Sequence, residues 1–262
     1  MLFVISPAKT LDFTPVDPAI PATTPDLRKE TAALAALTRK LTMSDLKRMM
    51  DISDALAELN VERFKTFNAK SKGDGEGELQ AAFAFAGDVY GGLDARSLDL
   101  DALTWAQDRL RILSGLYGLL RPLDRIQPYR LEMGVRLKTD RGSSLYDFWG
   151  DQPAKLLNKA AAGHVETTLI NLASQEYFGA VDAQALKLPV VTCHFKEEKD
   201  GGARIISFYA KHARGRMARW AIDRRVEHAE DLKAFDLDGY SYRPDISSDR
   251  DWVFVRPAVT PV

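Results

Sequence analysis

The sequence has a single cysteine, Cys193, among its 262 residues. This excludes an internal disulfide, and also a zinc or iron–sulfur site built from several cysteines of one chain. Long apolar runs are missing too, since none approaches the roughly 20 residues that a membrane span requires. An excess of one charge is equally absent, because 36 Lys and Arg stand against 37 Asp and Glu, for a formal net charge of −1. Any binding of nucleic acid must therefore come from local basic patches.

Motifs for metal binding and nucleophilic catalysis are also missing. The four histidines include no H-x-x-x-H or H-E-x-x-H spacing. Cys193 and His194 are adjacent in a predicted strand, so their side chains point to opposite faces and do not share a metal. Neither G-x-S-x-G nor a Walker loop occurs. The sequence therefore predicts no metal site and indicates no cofactor.

The most unusual stretch runs from Leu113 to Gly134 and combines glycines, prolines, two tyrosines and three arginines. Ser114-Gly115 follows a predicted buried strand, so backbone amides there would face a ligand without interference from a bulky Cβ atom. The alternative is a rigid loop whose arginines pair with Asp124 and Glu132. The candidate anion-binding residues of this stretch are Ser114, Gly115, Arg121, Arg125, Tyr129 and Arg130.

Positive charge is also concentrated at two other places. Lys9 follows the predicted strand Leu2–Ile5, at the edge where open α/β sheets usually place ligands. A predicted helix from about Lys211 to Ala229 carries six basic residues and one acid between Lys211 and Arg225. A solvated face with local ion pairs is the alternative explanation for such a helix. The candidate anion-binding residues here are Lys211, Arg214 and Arg216.

The pattern of apolar residues predicts an α/β fold with a mixed sheet and α+β character, in one domain spanning residues 1–262. Helices are expected from about Asp26 to Phe67, as a helical insertion at about residues 26–72, with a break near Ile52-Ser53. Ser44 and Ser53 are the expected N-caps. Another helix is expected from Glu78 to Ala86, followed by a turn at Val89–Gly92.

The predicted sheet continues in the C-terminal half. A helix beginning after Ser174 is expected to use that residue as its N-cap. Strands at Val190–Glu197 and Ala203–Tyr209, joined through Lys199–Gly202, form a predicted antiparallel hairpin before the basic helix.

The stretch from Leu41 to Phe64 looks like a helix-hairpin-helix, a motif that binds the DNA backbone through the amides of its hairpin. Met50-Asp51 stands where proline-glycine is usual, and Ser53 replaces the second glycine. Asp51 would repel a phosphate at that point. An ordinary helical hairpin that needs no DNA is the alternative. The hydrophobic pattern of the motif is occupied by Leu46, Met49, Ile52, Leu56 and Ala57.

Four ordered motifs resemble those of the YaaA family of bacterial peroxide-stress resistance proteins: Ile5–Asp12, Leu113–Gly134, Asn171–Tyr177 and Tyr209–Trp220. The resemblance covers nearly the full chain. It implies a cytoplasmic protein of the hydrogen-peroxide response, associated with limiting damage from intracellular iron. It also implies a DNA-binding member with a mixed α/β fold, a helix-hairpin-helix and a positively charged cleft. It supplies no established enzymatic reaction.

The residues and the resemblance together predict a protein that binds double-stranded DNA through phosphate contacts in a basic cleft. We expect this binding to show little sequence preference. Such a protein would shield DNA, or handle damaged DNA, during oxidative stress. The start of the chain resembles a first strand more than a signal peptide, so we expect a cytoplasmic protein with no membrane partner. The predicted cleft cations are Lys9, Arg121, Arg125, Arg130, Lys211, Arg214 and Arg216.

Two other functions stay open from the sequence. An enzyme acting on a nucleotide or nucleobase would bind a base near Ser114-Gly115, Tyr117 and Tyr129, and would use Asp12 or Glu132 in glycosidic-bond cleavage on damaged DNA. The candidate catalytic residues are Asp12, Ser114 and Glu132. A small anionic ligand would suit the same site. Direct sequestration of iron would need a carboxylate site that the spacing does not reveal.

Overall fold

The apolar segment Leu2–Ile5 and the segment Leu110–Ser114 form neighbouring buried strands. Strands that are buried on both faces are typical of parallel sheets. The computed structural model describes residues 1–71, 75, 77–199 and 202–258. Its β-strands are β1 (Leu2–Ile5), β2 (Thr10–Leu11), β3 (Leu79–Gln80), β4 (Phe85–Ala86), β5 (Leu110–Ser114), β6 (Gly118–Leu120), β7 (Arg125–Ile126), β8 (Leu169–Asn171), β9 (Val190–Lys199), β10 (Gly202–Arg204), β11 (Ser241–Tyr242) and β12 (Asp251–Pro257).

Helices cover the sheet and form the segment that follows the first strand. The α-helices are α1 (Arg28–Thr38), α2 (Met43–Met50), α3 (Asp54–Thr66), α4 (Ala81–Ala84), α5 (Asp88–Leu93), α6 (Leu100–Arg109), α7 (Leu145–Trp149), α8 (Gln152–Ala161), α9 (Gln175–Phe178) and α10 (Ser207–Arg224). Short 3-10 helices span Ala95–Ser97, Ala229–Ala234, Leu237–Gly239 and Pro244–Ile246. Among the described residues, no helix combines the length and the apolar content needed to cross a membrane.

The central sheet has the strand order β11-β12-β9-β8-β1-β5-β6, and β10 pairs with β9 outside this path. Strands β12, β9, β8, β1 and β5 run parallel to one another, whereas β6, β10 and β11 pair antiparallel. This confirms the predicted mixed α/β sheet. Because the five parallel strands end on the same side, their C-terminal ends form one edge, which we call the carboxyl edge.

The helical insertion consists of three helices. The predicted break near Ile52-Ser53 is confirmed, and Ser53 caps α3 by accepting a hydrogen bond from the Leu56 amide. The cap predicted at Ser44 is wrong by two residues, because α2 begins after Thr42, which forms a capping box with Asp45. Leu56 of the hydrophobic pattern is 38 % exposed, so this position lies outside the core of the hairpin.

The turn predicted at Val89–Gly92 is wrong, because these residues belong to α5. The glycines serve close packing between helices. A Cβ atom added at Gly92 would lie 2.2 Å from the His212 carbonyl oxygen, and one at Gly215 would lie 1.8 Å from the Val89 carbonyl oxygen. The backbones of α5 and α10 are therefore in direct contact.

Two other local predictions are corrected. The helix expected from Glu78 to Ala86 is reduced to α4 between two short strands, because β3 pairs with β7 and β4 pairs with β2. The β9–β10 hairpin confirms the predicted antiparallel pair, but β10 ends at Arg204 and α10 already begins at Ser207. Parts of the predicted domain, insertion and hairpin turn, at residues 72–74, 76, 200–201 and 259–262, lie outside the described residues.

Candidate functional site

A cleft with a volume of about 430 Å³ opens at the carboxyl edge, between the loop after β1, the start of α5 and the first half of α10. We call it the carboxyl-edge cleft. Its cations are Lys9, Lys211 and Arg214, and its acids are Asp88 and Glu176. Residues with side-chain hydroxyls, namely Ser6, Thr10, Ser174 and Tyr177, also line it.

The floor of the cleft is fixed where β1 and β8 end. The Ser174 amide donates to Ser6 Oγ at 2.9 Å, and Ser6 Oγ donates to Ser174 Oγ at 3.3 Å. Ser174 Oγ also accepts from the Tyr177 amide, which confirms Ser174 as the N-cap of α9. The Tyr90 hydroxyl donates to the Ser6 carbonyl at 3.1 Å and ties α5 to the same floor. These bonds hold the two strand ends in a defined geometry.

Arg214 is the cation of the cleft that forms no ion pair with a described residue. Its side chain is half-buried, and burial lowers the pKa of the guanidinium. Its Nε is buried without a hydrogen-bond partner, and Arg214 forms no ion pair with any carboxylate of the described residues. Its charged group lies near the buried thiol of Cys193. A desolvated cation is unfavourable unless an anion compensates it, so the cleft suits an anionic ligand.

The two lysines of the cleft do have acidic neighbours. Lys9 Nζ lies 2.7 Å from Glu132 Oε2, and Lys211 Nζ lies 3.9 Å from Asp88 Oδ2. Both lysine side chains remain at least half exposed. Exposed ion pairs of this kind are weak, so either lysine can turn to an incoming phosphate at small cost.

Glu132 is held more firmly than either lysine. Its side chain is only 16 % exposed, and Glu132 Oε1 accepts hydrogen bonds from Arg130 Nη2 at 2.9 Å and Nε at 3.2 Å. With Lys9 on its other oxygen, this carboxylate is fixed between two cations at the rim of the cleft. Such a group is a candidate general acid or base. Arg130 does not line the cleft, and it forms with Glu132 the ion pair that the alternative interpretation predicts.

The start of α10 adds a further favourable feature for anions. The helix begins after Ile206 without a side-chain cap, and its first turn contains no acidic residue. Free amide groups and the helix dipole at such an N-terminus attract negative charge. Lys211 lies one turn into this helix.

The structure places Ser114 and Gly115 in the core rather than in the cleft. Ser114 is fully buried; its Oγ lies 2.6 Å from the Tyr129 hydroxyl and accepts from the Tyr117 amide at 3.0 Å. A Cβ atom at Gly115 would lie 2.2 Å from the Leu131 carbonyl oxygen. Burial raises the pKa of Tyr129. The glycine turn therefore allows close backbone packing, and these three candidates contact protein groups.

Three arginine candidates also lie away from the cleft. Arg121 Nη2 donates to Asp124 Oδ1 at 2.8 Å and to the Thr24 carbonyl at 2.8 Å, and the Asp124 side chain is 1 % exposed. Arg125 lines a separate pocket beside Tyr117. Arg216 Nε lies 3.4 Å from Asp238 Oδ2. Of the seven predicted cleft cations, the structure thus brings Lys9, Lys211 and Arg214 into one lining.

Asp12 occupies a neighbouring pocket with Arg96, whose Nη2 lies 3.6 Å from Asp12 Oδ2. Hydrogen bonds from Thr14 lower the pKa of Asp12, which is 46 % exposed. This carboxylate is therefore ionised at neutral pH and separate from Glu132. Across residues 1–71, 75, 77–199 and 202–258, no group of three or more His, Cys, Asp or Glu side chains is arranged to hold a metal ion.

Sequence reasoning did not select Ser6, Asp88 or Tyr177, which also line the cleft. Ser6 directly follows β1, so its position at the strand end was an available signal. Asp88 was not predicted as a site residue, because the glycines after it indicate a turn rather than the start of a helix. Tyr177 lies in the first turn after the Ser174 cap, within one of the motifs that carry the family resemblance.

Comparison with known proteins gives a consistent family assignment. The family model described as "Peroxide stress protein YaaA" matches residues 1–246. A UPF0246 protein of Caulobacter vibrioides (strain NA1000 / CB15N) is 64% identical over 257 residues, covering 98% of this chain and 99% of the relative. UPF0246 proteins of Phenylobacterium zucineum (strain HLK1) and Maricaulis maris (strain MCS10) are 62% and 54% identical, covering 100% and 98% of this chain and 97% and 96% of their own lengths.

Proposed function

Since this chain belongs to the YaaA family of peroxide stress proteins, we propose that it acts in the peroxide-stress response by binding DNA phosphates in the carboxyl-edge cleft. The observation that carries the proposal is Arg214, a half-buried guanidinium without a carboxylate partner among the described residues. A phosphate oxygen would supply the missing acceptor and the missing charge. Lys9, Lys211 and the N-terminus of α10 would add attraction from the cleft walls.

Binding through phosphates explains how a chain with a net charge of −1 can hold a polyanion. The contacts are few and local, so affinity depends on salt and little on sequence. DNA held in this way would be shielded from iron-dependent oxidation or presented for repair. A plasmid-nicking assay with ferrous iron and hydrogen peroxide tests this part, since a variant that cannot bind DNA should lose the protection.

Fluorescence anisotropy with a labelled duplex of mixed sequence tests the cleft. We expect Lys9→Gln, Lys211→Gln and Arg214→Gln each to weaken binding. Each should also reduce the slope of log K against log[salt] by about 0.9, the value for one phosphate contact. Lys155→Gln is the matched control, because Lys155 is a similarly exposed lysine on α8 that does not line the cleft. A triple variant that retains the wild-type affinity and slope would refute the assignment.

The α2–α3 hairpin is a second proposed DNA contact, through the amides after Asp51. Asp51 ends α2 with φ of 50°, in the left-handed region that favours glycine. We expect Asp51→Gly to tighten DNA binding, because it removes a negative charge next to the approaching phosphate. Asp94→Gly is the control, since Asp94 ends α5 in the same conformation with φ of 46°. Equal effects of the two substitutions would show a general charge effect and contradict a hairpin contact.

Glu132 favours a second candidate function, an enzyme that processes a nucleotide or a damaged nucleobase. The carboxylate is fixed beside Lys9 at 16 % exposure, and the cleft volume lies in the range of small-ligand sites. Glu132 would then serve as the acid or base in glycosidic-bond cleavage. Incubation with damaged and undamaged duplexes, followed by product analysis, tests this. Glu132→Gln should abolish product while Asp12→Asn, in the neighbouring pocket, should not; binding without any product would contradict the enzyme.

A further inference from the structure

Phe208 presents an exposed aromatic ring at the start of α10. Its side chain is 59 % exposed, and Ile205, just before the helix, is 55 % exposed. Lys211 follows three residues later and lines the cleft. Residues three apart are neighbours on a helix surface, about 4.5 Å apart along its axis. An apolar ring therefore stands beside a cleft cation at the carboxyl edge.

The ring is supported from behind by packed groups. Phe208 contacts Tyr209 edge to face, with 5.3 Å between ring centroids and 72° between planes. The Arg256 guanidinium lies 4.5 Å from the centroid of the Tyr209 ring. Arg256 in turn donates from Nε to Glu197 Oε1 at 2.8 Å in a buried ion pair between β12 and β9. An exposed ring that is held in this way loses little freedom on binding.

We propose that Phe208 stacks on an unpaired base of the DNA whose phosphates lie in the carboxyl-edge cleft, with Ile205 packing at the rim of the same base. This inference rests on the proposed DNA binding and specifies the form of DNA. Lys211, Lys9 and the free N-terminus of α10 attract a polyanion to this place. An unpaired base is the apolar, flat group that a phosphate backbone carries, and base–aromatic stacking is independent of sequence. A duplex hides its base faces, so the site should favour single-stranded or unpaired DNA.

Three labelled oligonucleotides test the inference by anisotropy: a single strand of ten thymidines, an abasic strand with the same phosphates, and an intact duplex. We expect Phe208→Ala to weaken binding of the thymidine strand about tenfold. Binding of the abasic strand and the duplex should not change. Phe208→Trp should retain the affinity and show quenched tryptophan fluorescence, whereas Phe208→Leu should not restore it.

Ile205→Ala should weaken binding of the thymidine strand to a smaller extent. Its control is Val165→Ala, because Val165 is 70 % exposed next to residues that contact Met1, at the opposite edge of the sheet. If Phe208→Leu binds as well as the wild type, the surface is a general apolar contact, as for a protein partner, and stacking is refuted. If Phe208→Ala changes nothing while Lys211→Gln weakens every strand, the inference fails but DNA binding stands. If Lys211→Gln also changes nothing, both fail.

Discussion

Gly215 of α10 faces Val89 of α5 so closely that a Cβ atom on Gly215 would lie 1.8 Å from the Val89 carbonyl oxygen. This contact sets the position of α10 against α5. It therefore determines where Lys211 and Arg214 stand relative to Asp88 at the mouth of the cleft. A site built from local loops alone would not depend on such a crossing of helices.

Gly215→Ala should destabilise the protein by about 3 kcal/mol, because the helices must separate to admit the methyl group. Urea denaturation measures the change. The separation should also weaken DNA binding, since it moves Lys211 and Arg214 away from the loop after β1. Gly202→Ala is the control, because a Cβ atom at Gly202 meets no atom of the described part of the chain within 4 Å. Similar stability of the two variants would contradict the close crossing.

Arg214 and Arg121 should respond in opposite ways to replacement by methionine. Arg214→Met removes a desolvated charge without a counterion, so we expect unchanged or slightly higher stability and a loss of DNA affinity. Arg121→Met leaves Asp124 buried without its cation and should cost about 3 kcal/mol. Thermal denaturation and anisotropy on the same samples separate the two roles. Strong destabilisation by Arg214→Met would mean that Arg214 has a structural role instead.

Replacing one partner of the Glu197–Arg256 ion pair should destabilise the protein, whereas replacing both partners together should destabilise it far less. Both side chains are almost fully buried, at 6 % and 10 % exposure. Glu197→Ala should cost about 4 kcal/mol, because it leaves the guanidinium buried and unpaired. The double variant Glu197→Leu, Arg256→Met should recover most of this loss, as measured by urea midpoints. A double variant as unstable as the single one would argue that the tyrosine rings around Arg256 need the cation.

The cap of helix α7 should make the stability of the protein depend on acid. Hydrogen bonds from Ser144 and Ser143 lower the pKa of Asp147 below its ordinary value of 3.8. The unfolded chain therefore binds this proton first, so the contribution of the cap is complete above about pH 4 and is lost as the pH falls through the lower folded pKa. Asp147→Asn should flatten the fall in urea midpoint between about pH 5 and pH 3. Asp140→Asn, at an exposed position nearby, should follow the wild type.

Sequence patterns predicted the features that depend on neighbouring residues. The apolar run of β1, the β9–β10 pair and the caps at Ser53 and Ser174 all follow from local composition, and the structure confirms them. Lys9 was predicted to lie at a ligand site because it follows a buried strand, and the ends of parallel strands meet at one edge of the sheet.

The features that sequence could not assign depend on partners far along the chain. Glycines, prolines and arginines between Leu113 and Gly134 are equally suited to a ligand loop and to a tightly packed one. Only the position of the Leu131 carbonyl against Gly115 distinguishes the two. Gly92 and Gly215 were likewise ambiguous, because close helix packing is visible only when both helices are placed. Arg214 is distinctive because it lines the cleft without forming an ion pair with any described residue, which local spacing does not reveal.

The register of β1 has a consequence for how the protein is made. Leu2 pairs with Leu169 of β8, and Phe3 pairs with Leu110 of β5. The first strand therefore cannot pair until these segments, which are synthesised much later, are available. Contacts of such long sequence separation form slowly. During translation, β1 can pair with β5 only after Ser114 has been synthesised, and its other edge stays unpaired until β8, which ends at Asn171 of the 262 residues, has left the ribosome. An apolar segment that stays unpaired in this way is prone to aggregate before the chain is complete.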